Sequence, residues 1–336
     1  MKRSRVRFPL WARCDHVFPA IGTTAGACMT SALASVDEIR FRGEPAVRVA
    51  SAELSATFLP DLGLTGVSLS VGGREHLALP GGLPALRAGH TLGIPLLAPW
   101  ANRLASRRYR AAGVDVDLNG LALGTDTNGL PIHGFLVGRP GWRLGRCWTR
   151  GRDAKFRADI DVDEPAFPFT HRIEVAVTAR DRALTIETTI VPTASRAVPV
   201  AFGWHPYLRL PGSPRRHWKL QLPASTHVEL DGHGIPTGAE DAAPAEAEPI
   251  GARTFDDLYR LARGHDLSLV GEGAAITMHA GPGYRFAQVW VPPRRSFAAL
   301  EPMTSATNSL IDGTAPLVEP GDAYTATFSL RIEEDA

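Results

Sequence analysis

The chain has 336 residues, of which 44% are hydrophobic and 21% charged, and this is the composition of an ordinary globular protein with an ample core. Its 36 lysines and arginines nearly balance its 35 aspartates and glutamates. This balance excludes the strong overall charge that would gather nucleic acid or hold an anionic membrane. We therefore expect no nucleic acid and no membrane among its partners, and a small, mostly uncharged molecule instead.

The three cysteines, Cys14, Cys28 and Cys147, lie far apart and lack CxxC spacing. That spacing argues against a disulfide framework, a zinc knuckle or a redox pair. A reducing, cytoplasmic setting is the expectation for such a chain. No run of about eighteen apolar residues occurs, so no membrane span is predicted.

The N-terminal segment begins with basic residues, and its apolar run is interrupted by Arg13, Cys14, Asp15 and His16. The run is too short and too charged for the core of a signal peptide. We predict that residues 1–38 form a disordered extension, or are translated in error upstream of a start at Met29. The folded domain is predicted over residues 39–335.

Apolar residues then alternate with polar or small ones in "AVRVASAELSATFLP" (46–60), "GLTGVSLSVGG" (63–73) and "YTATFSLRIEE" (324–334). A period of two between glycine and proline punctuation predicts antiparallel strands. The 33 glycines and 27 prolines leave little room for long helices. The pattern favours an all-β sandwich or barrel.

The clearest hairpin joins "HRIEVAVTA" (171–179) to "ALTIETTIV" (183–191) around Asp181. It predicts a sheet with one buried face. Residues 236–252 are rich in alanine, glutamate and proline, and this bias predicts a surface loop.

Polar residues that could carry chemistry first appear in "GIPLLAPWANRLASRRYR" (93–110) and "GLPIHGFL" (129–136). Arg103, next to Asn102, can present a fork of donors to oxygen atoms, or can pair with a carboxylate and lock a loop. His133 lies beside Gly134, which lets the backbone turn sharply or approach a ligand. A hydrogen-bonded loop histidine is the alternative for His133.

Two further candidates follow in "FGWHPYLRL" (202–210) and "FAALEPMTSATNSL" (297–310). Apolar neighbours would desolvate His205 while a nearby carboxylate would favour its charged form, so the ring is expected to titrate near neutral pH unless it is a core histidine. Glu301 ends an apolar run, and a glutamate at the end of a buried strand is costly unless it is paired or used. We therefore favour a functional role for Glu301 over a purely structural one.

Metal ligands on one helix or hairpin usually show HxxxH or HxH spacing, and neither occurs in this sequence. The GxSxG elbow of serine hydrolases and the glycine-rich phosphate-binding fingerprints are absent as well. We therefore predict neither a metal nor a cofactor. Aromatic rings suit the apolar faces of sugars or belong to the core, and the candidates are Trp100, Trp204 and Tyr259.

The segments "PWANR", "IHGF", "WHPYL", "FDDLY" (255–259) and "LEPMT" together resemble, in order and spacing, the aldose 1-epimerases, also called galactose mutarotases. The "WHPY" sub-branch of that family is the most similar, and the resemblance covers about residues 40–334. It implies a large antiparallel β-sandwich of the galactose mutarotase type with few short helices. It also implies a cofactor-free enzyme, monomeric or weakly dimeric, that holds a sugar in an open cleft and interconverts its anomers.

The resemblance further implies roles for individual residues. Glu301 corresponds to the general base that takes the proton from the C1 hydroxyl, and His205 to the general acid that protonates the ring oxygen. Hemiacetal opening needs one proton removed and one delivered, which agrees with this pair. The substrate-binding candidates are Arg103, His133, Asp256 and, by adjacency, Asn102. Asp256 is chosen over Asp257 because the family's aspartate lies three residues before an aromatic residue, here Tyr259.

Phe135 and Trp204 stand where many family members have glycine and asparagine. The resemblance therefore indicates the reaction more specifically than the substrate. A free aldohexose is the first expectation. A hexose 6-phosphate or another anionic sugar would need extra cations at the rim of the cleft, for which the candidates are Arg107, Arg108, Arg209, Arg215 and Arg216. A noncatalytic carbohydrate-binding protein on the same scaffold is the third alternative.

Overall fold

The computed structural model describes residues 34–262 and 264–334, and within these ranges strands dominate and helices are few and short. The predicted all-β class is therefore confirmed. The first strand begins at Ser35, so ordered structure starts before the predicted boundary at residue 39. The prediction made for residues 1–33 lies outside the described residues. No helix in the described ranges has the length and apolar content needed to cross a membrane.

The strands are, in chain order, β1 (Ser35–Phe41), β2 (Glu44–Ala50), β3 (Leu54–Leu59), β4 (Thr65–Val71), β5 (Arg74–Glu75), β6 (Leu96–Leu97), β7 (Arg108–Ala111), β8 (Val114–Asp117), β9 (Arg143–Arg150), β10 (Asp153–Glu164), β11 (Phe167–Arg180), β12 (Ala183–Pro192), β13 (Val198–Pro199), β14 (Gly203–Trp204), β15 (Tyr207–Leu208), β16 (Lys219–Gln221), β17 (Ser225–Leu230), β18 (Pro236–Ala243), β19 (Phe255–Arg260), β20 (His265–Gly271), β21 (Ala274–Ala280), β22 (Phe286–Val291), β23 (Ala298–Met303), β24 (Leu317–Val318) and β25 (Tyr324–Glu334). The helices are α1 (Gly82–Arg87), α2 (Ser309–Asp312) and the 3-10 turns Pro60–Leu62 and Arg215–His217.

Three large antiparallel sheets build the sandwich. A five-stranded sheet has the order β1-β2-β3-β4-β5, and the long sheet has the order β16-β20-β21-β25-β12-β11-β10-β9. The third, which we call the site sheet, has the order β18-β17-β19-β22-β23-β14-β6, and β15 also pairs with β23. The predicted hairpin lies within the long sheet, where β11 pairs with β12 from His171 to Arg180 around a turn at Asp181.

The core lies between the long sheet and the other two sheets. Alternate residues of β11 are buried along its length, as the period of two predicts. Phe58 of the five-stranded sheet meets Phe156 of the long sheet at a ring distance of 5.5 Å. Trp204 contacts Phe328 and donates its indole N–H to Thr188, 3.1 Å away. The sequence offered two interpretations for three aromatic residues, contact with a sugar or a place in the core. All three belong to the core: Trp100, Trp204 and Tyr259.

The prediction of a surface loop over residues 236–252 is wrong for the first half of that segment. Pro236–Ala243 forms β18, which pairs with β17 at the edge of the site sheet. Most residues of β18 are exposed, so neither of its faces requires an apolar row. An edge strand of this kind therefore leaves no alternation in the sequence.

Candidate active site

Glu301 and His205 meet on the site sheet. Glu301 lies in the middle of β23, which continues through Pro302 to Met303, so its predicted position at a strand end is wrong. His205 lies between β14 and β15, and its backbone N–H donates to the Pro95 carbonyl at 3.1 Å. The side chains of His205 and Glu301 are 6% and 3% exposed, and His205 Nε2 lies 3.2 Å from Glu301 Oε1.

Burial controls the charge of this pair. It lowers the pKa of His205 well below its ordinary value, and the nearby His133 acts in the same direction. It raises the pKa of Glu301, helped by the Asp256 carboxylate and opposed by Arg103. Burial thus opposes the charged imidazolium of His205, and it also disfavours the ionised Glu301 that would stabilise that imidazolium. Both directions favour the uncharged forms, in which the one proton of the pair is on Glu301.

Aromatic rings surround His205. The Tyr207 ring stacks on the imidazole at a centroid distance of 4.5 Å and an interplanar angle of 14°. Trp290 and His133 contact it edge-on at 5.5 and 5.6 Å. These rings exclude water from one side of the pair, which strengthens the electrostatic interactions inside the site.

Asn102 and His133 fix each other's position. Both have left-handed backbones, with φ of 58° and 62°, a conformation that is strained for residues other than glycine and concentrates at functional sites. The His133 N–H donates to the Asn102 carbonyl at 3.0 Å, and the Asn102 N–H donates to His133 Nδ1 at 3.2 Å. Gly134 follows because a Cβ there would lie 2.1 Å from the Ala98 carbonyl oxygen.

These contacts also determine the protonation of His133. Burial, with the Arg103 charge as a second cause, lowers the pKa of His133 to about 3, so its ring is neutral at physiological pH. Because Nδ1 accepts a hydrogen bond, the proton of the neutral ring is on Nε2. His133 therefore offers a neutral N–H donor to a bound molecule.

Arg103 connects the polar side chains of the site. Its Nε donates to Asp126 at 2.9 Å, and its two Nη atoms donate to Asn102 at 3.1 Å and to Asp256 at 3.3 Å. Asp256 also accepts from Gln288 Nε2 at 2.7 Å, and Gln288 pairs with Glu301 across β22 and β23. The arginine thus both pairs with carboxylates, as the structural interpretation of the sequence proposes, and faces the candidate active site.

The sequence reasoning missed Asp126 and Gln288. Asp126 opens the turn "DTNG" and accepts the backbone N–H groups of Asn128 and Leu130, which is a recognisable turn signal but not a functional one. Gln288 is a buried polar residue inside the apolar run "FAQVWV". A polar residue in an apolar run is also the feature that identified Glu301 as a candidate.

The choice between Asp256 and Asp257 follows strand alternation. Asp256 faces Arg103, whereas Asp257 pairs with His227 Nε2 at 3.1 Å. A cavity of about 430 Å³ opens beside Arg103 and Asp256, and its walls carry the further carboxylates Glu229, Asp231 and Asp257. The lining of this cavity includes Arg103 and Asp256 but neither His205 nor Glu301, and carboxylates outnumber arginines on its walls.

The five arginines considered as rim cations bond elsewhere. Arg107, Arg209 and Arg215 donate to backbone carbonyls of Leu118, Glu75 and Gly251, respectively. Arg108 pairs with Asp117, and Arg216 donates to His217. None of the five lines the cavity beside Arg103.

The site thus combines a buried histidine–glutamate pair with hydrogen-bonding groups from Arg103, Gln288, His133 and Asp256. Among residues 34–262 and 264–334, no three side chains of histidine, cysteine, aspartate or glutamate converge in a way that could hold a metal ion.

The chain resembles solved structures of the same architecture. A galactose mutarotase-like protein from Clostridium acetobutylicum superposes with a TM-score of 0.80 at 17% identity, covering 90% of this chain and 99% of the other. Galactose 1-epimerase from Lactobacillus acidophilus superposes with a TM-score of 0.71 at 12% identity, covering 90% and 99%. At these identities the likeness establishes the fold, which is the predicted mutarotase-type sandwich.

At the level of sequence, the uncharacterized protein YihR of Escherichia coli K12 is 24% identical over 264 residues, covering 76% of this chain and 83% of the relative. The sequence model of the aldose 1-epimerase family matches residues 67–331, which include every candidate site residue and well over half of the chain. The protein therefore belongs to the aldose 1-epimerase family.

Proposed function

We propose that the protein is an aldose 1-epimerase that interconverts the α and β anomers of free aldohexoses. The observation that carries this proposal is the buried contact of 3.2 Å between His205 and Glu301, next to the Arg103 and Asp256 side chains. The wide separation of the cysteines supports a reducing, cytoplasmic setting for the reaction.

In the proposed reaction, ionised Glu301 takes the proton of the C1 hydroxyl while protonated His205 delivers a proton to the ring oxygen, O5. The electron pair left on O1 forms the second C1–O1 bond of the aldehyde, and the pair of the breaking C1–O5 bond moves to O5, which receives the proton from His205. Rotation about C1–C2 presents the other carbonyl face to the C5 hydroxyl. Ring closure then reverses both proton transfers, so the enzyme returns to its starting charge.

The shared proton of the pair suits this cycle. Moving it from Glu301 to His205 across their contact creates the base and the acid together without exchanging a proton with solvent. Arg103 favours the ionised form of Glu301. Each positioned proton transfer contributes typically about 10²- to 10⁴-fold to a rate, so both groups matter.

The remaining polar groups are proposed to bind the sugar. Asp256 is the exposed acceptor of the site, because 46% of its side chain is accessible while Arg103 and Gln288 hold it from behind. The neutral N–H of His133 and the Arg103 fork donate to ring or hydroxyl oxygens. Asn102 acts through Arg103, to which its side-chain oxygen is bonded.

The test is anomer exchange, measured by polarimetry or NMR from pure α-glucose and α-galactose. We expect the protein to exceed the buffer rate, and Glu301→Gln to lower kcat by at least about 10²-fold. Glu187→Gln, on the outer face of the long sheet, is the matched control and should retain activity. Equilibration of every sugar at the buffer rate, with sugar still bound, would instead identify a noncatalytic binding protein.

The same panel separates free from anionic sugars. The rim carboxylates repel a phosphate, and the five candidate arginines bond elsewhere, so glucose 6-phosphate should be the poorer substrate. A higher kcat/KM for glucose 6-phosphate than for glucose would replace the proposed substrate with an anionic sugar.

A further inference from the structure

His205 lacks the hydrogen bond that usually orients a catalytic imidazole. Such rings are normally fixed through the second nitrogen by a carboxylate or a carbonyl. In the described part of the chain, His205 Nδ1 is buried and has no hydrogen-bond partner from another residue. Apart from the contact of Nε2 with Glu301, the orientation of the ring therefore depends on packing.

Among the described residues, it is the Tyr207 ring that lies flat against this imidazole. The two planes differ by 14°, and Tyr207 is 4% exposed. Trp290 and His133 meet the imidazole at angles of 77° and 81°, so they limit its sideways movement. Rotation out of its plane is blocked by the stacked Tyr207 ring.

Tyr207 is itself anchored at both ends. Its hydroxyl lies 2.6 Å from Thr91 Oγ1, and its backbone N–H donates to the Gly93 carbonyl at 2.7 Å. Trp290 and Phe297 pack against its ring at 5.7 and 5.3 Å. The segment that contains Thr91 and Gly93 therefore supports the stacked ring.

We propose that Tyr207 is a positioning residue, which holds the His205 imidazole so that Nε2 faces Glu301, and that Thr91 holds Tyr207 in this place. The inference rests on the proposed function, in which His205 delivers the proton. Stacking has a second effect, because the face of an aromatic ring attracts a cation and so favours the imidazolium that the reaction requires.

The charged and titratable groups around the imidazole come from separate elements. Glu301 faces it from β23, His133 from the loop after β8, and Tyr207 from β15. Arg103 and Asp256 act on it through Glu301. A change in Tyr207 leaves the charges of all the others in place, so its effect on His205 can be measured separately.

The first test removes the hydrogen bond between the Thr91 and Tyr207 hydroxyls by an isosteric substitution at either residue. Thr91→Val and Tyr207→Phe should each lower kcat by about threefold to tenfold with little change in KM, since the sugar-binding groups are untouched. The double variant should be no slower than the slower single variant. Thr91→Ser, which keeps the hydroxyl, should restore the wild-type kcat.

The second test removes the stacked ring and observes His205 directly. In Tyr207→Leu, the His205 imidazole, followed by its ¹⁵N resonances, should titrate at lower pH than in the wild type, and the acid limb of the kcat profile should move with it. Phe58→Leu is the matched control, because that buried ring packs against Phe156 and touches none of the rings around His205. It should leave the titration of His205 unchanged.

Wild-type kcat and wild-type His205 resonances in both Thr91→Val and Tyr207→Phe would overturn the proposal. Loss of the fold in Tyr207→Leu would leave the isosteric pair as the deciding measurement. If the wild-type protein does not accelerate anomer exchange, the proposed function fails. The ¹⁵N spectra still show whether Tyr207 orients His205 toward Glu301.

Discussion

Arg103 is held by two carboxylates with different tasks. Asp126 is only 6% exposed, whereas Asp256 is 46% exposed. Burial raises the pKa of Asp126, but the Leu130 N–H and the Arg103 guanidinium more than offset it, so that pKa remains below its ordinary value. Asp126 is therefore an anion that fixes the arginine, and under the proposed function Asp256 exchanges its contacts with a sugar.

Asp126→Asn keeps a side-chain acceptor for the turn and removes the charge that holds Arg103. We expect kcat/KM for glucose to fall about tenfold, because a charge-assisted hydrogen bond contributes about 1.5–3 kcal/mol. Most of the change should appear in KM, measured by the initial rate of anomer exchange. Asp115→Asn, which breaks the exposed pair with Arg110, is the control and should be silent. Equal kinetics in the two variants would contradict the role given to Asp126.

The loops that carry Arg103 and His133 form one unit. Gly134 and Ala98 form a bridge, and so do Arg103 and Ile132. The short motifs around these residues indicate loops and candidate polar groups. They do not indicate that the two loops exchange hydrogen bonds, because Asn102 and His133 are 31 positions apart.

Gly134→Ala should destabilise the fold for two reasons, its φ of 63° and the clash of a Cβ with Ala98. We expect a loss of about 2–4 kcal/mol in the free energy of unfolding, measured in urea. Gly129→Ala is the matched control, because Gly129 has a φ of 80° but open space around its Cβ position. Its cost should be about 1 kcal/mol, that of the backbone conformation alone. Equal losses would show that the contact with Ala98 is unimportant.

Buried histidines make the stability of the protein sensitive to acid. Burial lowers the pKa of His171 to about 4, although the Phe169 carbonyl acts in the opposite direction. Burial likewise lowers the pKa of His76, opposed by Glu334, to which its Nε2 is bonded at 3.0 Å. Below pH 6.5 these two histidines bind protons in the unfolded chain, whereas in the folded protein they remain neutral. Stability is therefore fully present above pH 6.5 and decreases as the pH falls toward 4.

His171→Asn places an amide donor near the position of Nδ1 and removes the titration. We expect the loss of unfolding free energy between pH 6.5 and 4 to shrink by about 3 kcal/mol, measured by urea unfolding at several pH values. The variant will also be less stable at pH 7, because the ring packs against Phe167. His90→Asn, at an exposed position, should leave the pH dependence unchanged. A pH dependence equal to the wild type in His171→Asn would refute this account.

The sequence by itself determined the all-β class, the β11–β12 hairpin and the family, because strand alternation and short motifs are local properties of the chain. It also indicated Arg103, His133, His205, Asp256 and Glu301, whose roles in catalysis remain predictions. Only the tertiary structure decided that Glu301 lies within its strand, that Asp126 and Gln288 complete the polar network, and that Tyr207 covers His205. These contacts join residues that are distant in sequence, or they depend on the orientation of a side chain. Sheet register and loop packing set them, and neither has a local signal in the amino-acid sequence.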